Sequence, residues 1–352
     1  RNISNCMFCV NVRGKEYMIF NKQYTKEEYD KKKAELDLGS YKTLTWALEE
    51  FKKLRGSAIV PDMILEGRNE NVSGNYISNS QHILDSYDVN NVQHAMYSGD
   101  IWDGKDYVDC NYAAFSELAY ETLECVPNPQ GSICNVNCYG GANVMYSIEC
   151  MYSKNCFGCV SLKRSEYCIF NKQYTKKEYE TLVPKIIENM RQEGVWGEFF
   201  PASYCPFGYN ETNAQDWFPL TKDTAVSQGF QWVTEQEATV PQSDGVNILP
   251  ASEIPDHISE VDETITKKIY LGEESGMPFK LMPQELALYL KHKLALPRDT
   301  FTQRLKDRGK LTNPRTLWRR NCMNCQKDIQ TTYNPERSEK VYCRECYEKE
   351  VA

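Results

Sequence analysis

Small and apolar residues recur along the first half of the chain with a period of twelve. Ile83, Ala95, Tyr107 and Ala119 form one column, Ser86, Ser98, Cys110 and Thr122 a second, and Val89, Ile101, Ala113 and Cys125 a third. Pro127 and Pro129 interrupt the pattern with a one-residue shift. It then resumes in Asn135, Ser147 and Cys159, in Val144, Cys156 and Cys168, and in Val136, Ile148 and Val160. Gly, Asn and Asp are frequent and no 3.6-residue stripe appears, which excludes an amphipathic helix. Short strands joined by polar turns and stacked rung on rung fit, because each rung buries its face only against its neighbours. The expected fold is therefore mainly β: a parallel β-helix (β-solenoid) with flanking helices and a small C-terminal zinc ribbon.

A longer repeat brackets this region. Residues 5–30, NCMFCVNVRGKEYMIFNKQYTKEEYD, and 155–180, NCFGCVSLKRSEYCIFNKQYTKKEYE, are identical at 16 of 26 positions without a gap. Thr25 and Thr175 each precede a Glu by three residues, the pattern of a capping box, so a helix is expected after each copy. The second runs over about 176–193 with Pro184 inside it, and 43–55 continues the first helical stretch. Residues 265–282 predict a hairpin turning at Gly272–Gly276, and 283–293 a helix with Pro283 in its first turn. The expected divisions are 1–24, a partial solenoid repeat; 25–66, a helical insertion; and 67–172, the solenoid. Then follow 173–236, a helix and aromatic-rich loop packed on the solenoid; 237–264, an acidic linker; 265–320, a hairpin, helix and basic segment; and 321–352, the ribbon.

Charge changes the picture at the tail. From Lys291 onward 15 Lys and Arg face 8 Asp and Glu, a local +7 within a net charge of −8, which leaves −15 in residues 1–290. Such asymmetry points to a separate partner for the tail. No apolar run approaches the ~18 residues of a membrane helix. The chain opens at Arg1, beside a repeat motif, so a further upstream segment is expected. Fifteen cysteines, an odd number, cannot all pair within one chain. Zinc-binding thiolates must stay reduced, so a cytoplasmic setting is expected.

The strongest chemical motif is CMNC, seventeen residues, CREC. Cys322, Cys325, Cys343 and Cys346 form two Cys-x-x-Cys knuckles that supply four thiolates to one structural Zn2+, with no open coordination position. The intervening segment reads as a hairpin turning at Asn334–Pro335, with Ile329, Tyr333 and Val341 as its apolar contacts. Two further pairs, Cys6/Cys9 and Cys156/Cys159, read either as interior packing residues or as a second metal or redox site. The basic segment 298–320 leads into the ribbon. Arg315, Trp318, Arg319 and Arg320 are candidates for phosphate contact and base stacking, against the alternative of a solvated segment that only docks the ribbon. Asp100, Asp103, Asp106 and Asp109 recur every third residue, as turn formers or as a carboxylate edge. His82 and His94 lie one period apart and are expected to stack. No Walker loop, Rossmann fingerprint, nucleophile elbow or HExxH motif is present, so no catalytic or cofactor-binding residue is assigned.

The motifs NCFGCVSLKRSEYCIFNKQYTKKEY, GVWGEFFP, YNETNAQDWFPLT and IQTTYNPERSEKVYCRECY together resemble an uncharacterised family of Cys-rich repeat proteins with a C-terminal zinc ribbon, from environmental reduced-genome bacteria. The resemblance implies no activity and no catalytic residue. It implies another Cys-x-x-Cys after the LPR of 296–298, where this chain has Thr300 and Gln303. The expected function is that of a non-enzymatic zinc-binding scaffold, with its basic tail contacting nucleic acid or a nucleoprotein. The alternatives are a carbohydrate-active β-helix enzyme, or a metal or redox protein using the repeat cysteines.

Overall fold

The computed structural model describes residues 2–127, 130–234 and 247–351. The fold is mixed α/β, with helix and strand in comparable amounts, where the sequence pattern predicts a mainly β chain. Two compact units divide it. One comprises Arg1–Val60, Val233–Asn313 and Glu336–Ala352; the other comprises Pro61–Trp232 and Pro314–Pro335. Among the described residues no helix is long and apolar enough to cross a membrane.

The first unit begins with β1 (Ser4–Met7), β2 (Glu16–Ile19) and β3 (Lys22–Gln23), then α1 (Lys26–Leu36), α2 (Tyr41–Gly56) and β4 (Ile59–Pro61). β1 and β2 are parallel with a twelve-residue offset, Ser4 opposite Glu16 and Met7 opposite Ile19, and β3 turns back antiparallel. Thr25 caps α1 with the expected box, its hydroxyl accepting from Glu28 N while the Glu28 carboxylate accepts from Thr25 N.

The second unit holds an eleven-stranded sheet: β5 (Leu65–Glu66), β6 (Glu70–Ser78), β7 (Gln81–Met96), β8 (Gly99–Val108), β9 (Asn111–Ala114), β10 (Glu117–Cys125), β11 (Ser132–Val136), β12 (Tyr139–Met145), β13 (Met151–Phe157), β14 (Glu166–Ile169) and β15 (Lys172–Gln173). Its pairings are parallel except the last. Their register repeats the sequence period: Val89 lies opposite Ile101 and Val144 opposite Cys156, each twelve residues on. Across the proline interruption the offset is thirteen, Thr122 opposite Asn135, as the one-residue shift requires.

Backbone sterics explain the composition. Every third residue from Tyr76 to Glu124 has positive φ, in the left-handed region that Asn and Asp tolerate better than most residues. Asp100, Asp103, Asp106 and Asp109 all occupy such positions, so their spacing follows the turns. The residue after each faces inward. Ile83, Ala95, Tyr107 and Ala119 are at most 2% exposed, and the other two columns before the shift are equally buried. After it, Asn135, Ser147 and Cys159 and Val144, Cys156 and Cys168 continue inward. The column Val136, Ile148 and Val160 does not: Val160 is 50% exposed, because these residues follow the inward position and point to the opposite side of the strand. Inward serines accept the backbone N–H twelve residues on, as Ser86 does from Ser98 N and Ser98 from Cys110 N, both at 3.1 Å, so a buried donor finds a partner one period earlier in the chain. His82 and His94 stack with ring centroids 5.2 Å apart.

α3 (Lys176–Gln192) follows β15 with the second capping box at Thr175 and packs Tyr179 and Val183 on Phe157 and Ile169. Two short helices follow, α4 (Asn213–Trp217) and α5 (Lys222–Ser227).

The expected acidic linker differs most from the structure. Residues 235–246 lie outside the described part, but from 247 on the segment builds the core of the first unit. β16 (Ile248–Pro250) pairs with β17 (Ile269–Leu271), which forms the expected hairpin with β18 (Pro278–Phe279). Ala251, Ile254, Ile258 and Ile265 pack with Tyr270, Leu281 and Leu286, the last of these on α6 (Pro283–His292). The apolar residues are spaced too irregularly for a helix or strand period, since they sit on successive 3-10 turns. α7 (Phe301–Gly309) is capped by Thr300, whose hydroxyl accepts from Gln303 N, so Thr300 and Gln303 serve as a helix cap and its partner. β19 (Trp318–Asn321), β20 (Asp328–Thr331), β21 (Lys340–Tyr342) and α8 (Arg344–Val351) complete the chain.

Candidate metal centre

The tail folds differently from the hairpin its alternation suggests. β19 and β20 are antiparallel, Trp318 opposite Thr331 and Asn321 opposite Asp328, so the first knuckle is itself the hairpin turn. β21 pairs instead with β4. In the first knuckle Cys322 N donates to Lys327 O at 2.8 Å and Gln326 N to Cys322 O at 2.9 Å, with Gln326 left-handed at φ 63°. The second knuckle leads into α8: Tyr347 N donates to Cys343 O, and Cys346 lies in the first turn. Ile329, Tyr333 and Val341 are all buried, as expected.

This backbone brings the Sγ atoms of Cys322, Cys325, Cys343 and Cys346 within 4.8 Å of one another. A regular tetrahedron with ~2.3 Å metal–sulfur bonds has sulfur–sulfur edges of ~3.8 Å, so the donor set fits one thiolate-ligated ion. Cys322, Cys343 and Cys346 are buried and Cys325 is exposed. The start of α8 also favours negative charge through the helix dipole. With four protein ligands the ion has no open position, and what it supplies is cross-linking.

Among the described residues no other three Cys, His, Asp or Glu groups come together in this way. No disulfide joins any of the fifteen cysteines. Cys156 and Cys159 are fully buried within one apolar cluster with Cys125, Cys138, Cys150 and Cys168, while Cys6 and Cys9 are half-buried. Burial pushes the Cys110 thiol up to about 12 and Cys134 up to about 11, which keeps them neutral packing groups. Each of the two thiols in the Cys156/Cys159 pair has a backbone acceptor, Cys156 Sγ donating to Lys154 O at 3.3 Å and Cys159 Sγ to Phe157 O at 3.4 Å.

The four nucleic-acid candidates are scattered. Arg315 is buried, its Nη2 bonded to Asp100 and, at 3.2 Å, to Asp88, with its guanidinium 4.6 Å above the Trp217 ring. That charge is spent inside the protein. Arg320 Nη1 donates to the carbonyls of Tyr333 and Asn334 at 3.3 and 3.1 Å. Trp318 is half-buried, and of the three candidate arginines Arg319 is the exposed one. Sequence reasoning missed Asp88, Gly99 and Trp217 as the partners of Arg315. The available signal was Asp88 and Asp100 one period apart with a glycine between them.

Comparison with family models, curated proteins and solved structures gives no match.

Proposed function

We propose that this chain is a non-enzymatic scaffold whose tail is fixed by one structural zinc ion, and that its eleven-stranded sheet is a β-solenoid of twelve-residue coils. The convergence of four cysteine sulfurs within 4.8 Å of one another carries the zinc reading. The solenoid reading is supported by the recurring twelve-residue parallel offset and the inward residue at every third position. Such a solenoid presents columns of outward side chains on a rigid frame, which suits display to a partner better than it suits chemistry. The test of the zinc reading is metal analysis of purified protein. One zinc per chain is expected, falling to none in Cys343→Ser; an equal content in both would rule it out.

A nucleic-acid partner draws its support from the basic balance of the tail and the exposed Arg319. Arg319→Glu should then weaken binding of a short single-stranded oligonucleotide at low salt, with a smaller salt slope. No binding by the wild-type chain at low salt would remove the nucleic-acid reading and leave the scaffold.

A further inference from the structure

The second unit contains a cavity of about 600 Å3, within the ~300–1,000 Å3 usual for small-molecule sites. Asp85, Tyr97 and Asp109, each twelve residues from the next, line it together with Phe218, Arg315 and Gln330. Its chemistry excludes two ligand classes. Asp85 and Asp109 line it while Asp88 and Asp100 already neutralise Arg315, so carboxylates outnumber the single guanidinium and an anion is repelled. A cation meets the fixed charge of Arg315, which lines the cavity and whose side chain is 6% exposed.

Aromatic surface adds the remaining constraint. Tyr97 is 57% exposed and Phe218 is 50% exposed, although both rings line the same cavity. Open aromatic faces beside hydrogen-bonding groups suit a ring with one flat C–H face and hydroxyls at its rim. The geometry points to a binding site for a neutral saccharide in this cavity. Tyr97 and Phe218 are its stacking platforms, Asp85 and Asp109 accept sugar hydroxyls, and Arg315 donates to a sugar oxygen. The cavity and the four tail cysteines share no residue, so the zinc content of the same preparation reports on the metal reading alone.

The test is calorimetric titration of the full zinc-loaded chain with neutral disaccharides of gluco, galacto, manno and xylo configuration, beside digalacturonate and spermidine. At least one neutral disaccharide should bind, with affinity weakened about tenfold by Tyr97→Ala and by Phe218→Ala at an unchanged melting temperature. The inference is overturned by any of three results. These are no neutral disaccharide binding up to about 10 mM, digalacturonate or spermidine as the tightest ligand, or both aromatic variants binding as well as wild type.

Discussion

Arg315 shows how one side chain can be read correctly as basic and wrongly as exposed. Its position in a run of Arg and Lys beside Trp318 suggests phosphate contact, and composition alone does not distinguish a solvated arginine from one neutralised across the fold. The distinction lies at Gly99. A Cβ there would meet Arg315 Nη1 at 2.5 Å, so only glycine lets the guanidinium settle between Asp88 and Asp100. Burial raises the Asp88 pKa even though Arg315 opposes the rise, and removing the arginine would leave two close carboxylates without a counter-charge. Arg315→Met should therefore cost roughly 1–3 kcal/mol, less than the ~3–5 of a fully buried pair because both aspartates are about a third exposed. Gly99→Ala should act in the same direction. Urea denaturation measures both, and variants as stable as wild type would show that the ion pair is dispensable. The four clustered tail cysteines, by contrast, were legible in sequence because a metal-binding motif fixes both residue type and spacing.

The elements were readable where a local rule sets them. Both capping boxes form, and both depend on a carboxylate. The Glu178 side chain accepts from Thr175 N at 2.8 Å and Oγ1 at 2.7 Å, and these bonds lower its pKa. A lowered carboxylate pKa means that the cap stabilises α3 above the usual Glu value of ~4.3 and is lost as pH falls through the lower folded value. Protection of the first-turn amides of α3, taken relative to their intrinsic exchange rate at each pH, should fall over that range in the wild type but not in Glu178→Gln. An unchanged pH response in the variant would refute the assignment. The twelve-residue period was also legible, but the direction of a column was not. Val136, Ile148 and Val160 repeat as faithfully as the inward columns, and period alone does not say which side of the strand they occupy. For the inward set the consequence is firm. Ala119 is 2% exposed in the core of the sheet, so Ala119→Lys buries an unpaired charge and should cost several kcal/mol. Thermal melting reports this, and a wild-type melting temperature would contradict the inward assignment.

At the scale of the whole molecule, local patterns misled where the chain pairs over long distances. Acidic, apolar-poor residues read as a linker, yet Ala251, Ile254 and Ile258 are core. The terminal segment read as a self-contained ribbon, yet β21 pairs with β4 and Asn75 Nδ2 donates to Thr332 Oγ1 at 2.9 Å. These partners are hundreds of residues away in sequence, beyond any local periodicity. The tail is thus held at several points, and a metal on the four cysteines would fix its two knuckles, where apolar burial is small. Metal binding at structural sites contributes on the order of 10 kcal/mol, against ~1–2 kcal/mol per residue of ordering cost. Chelation should expose the knuckles to protease while residues 65–173 stay protected, and equal resistance of the knuckles with and without chelator would exclude a stabilising role for the metal. The most direct measurement is zinc X-ray absorption on the purified chain. It should show one zinc with four sulfur neighbours at ~2.3 Å. Absence of zinc, or a shell with fewer than four sulfurs, would contradict the account.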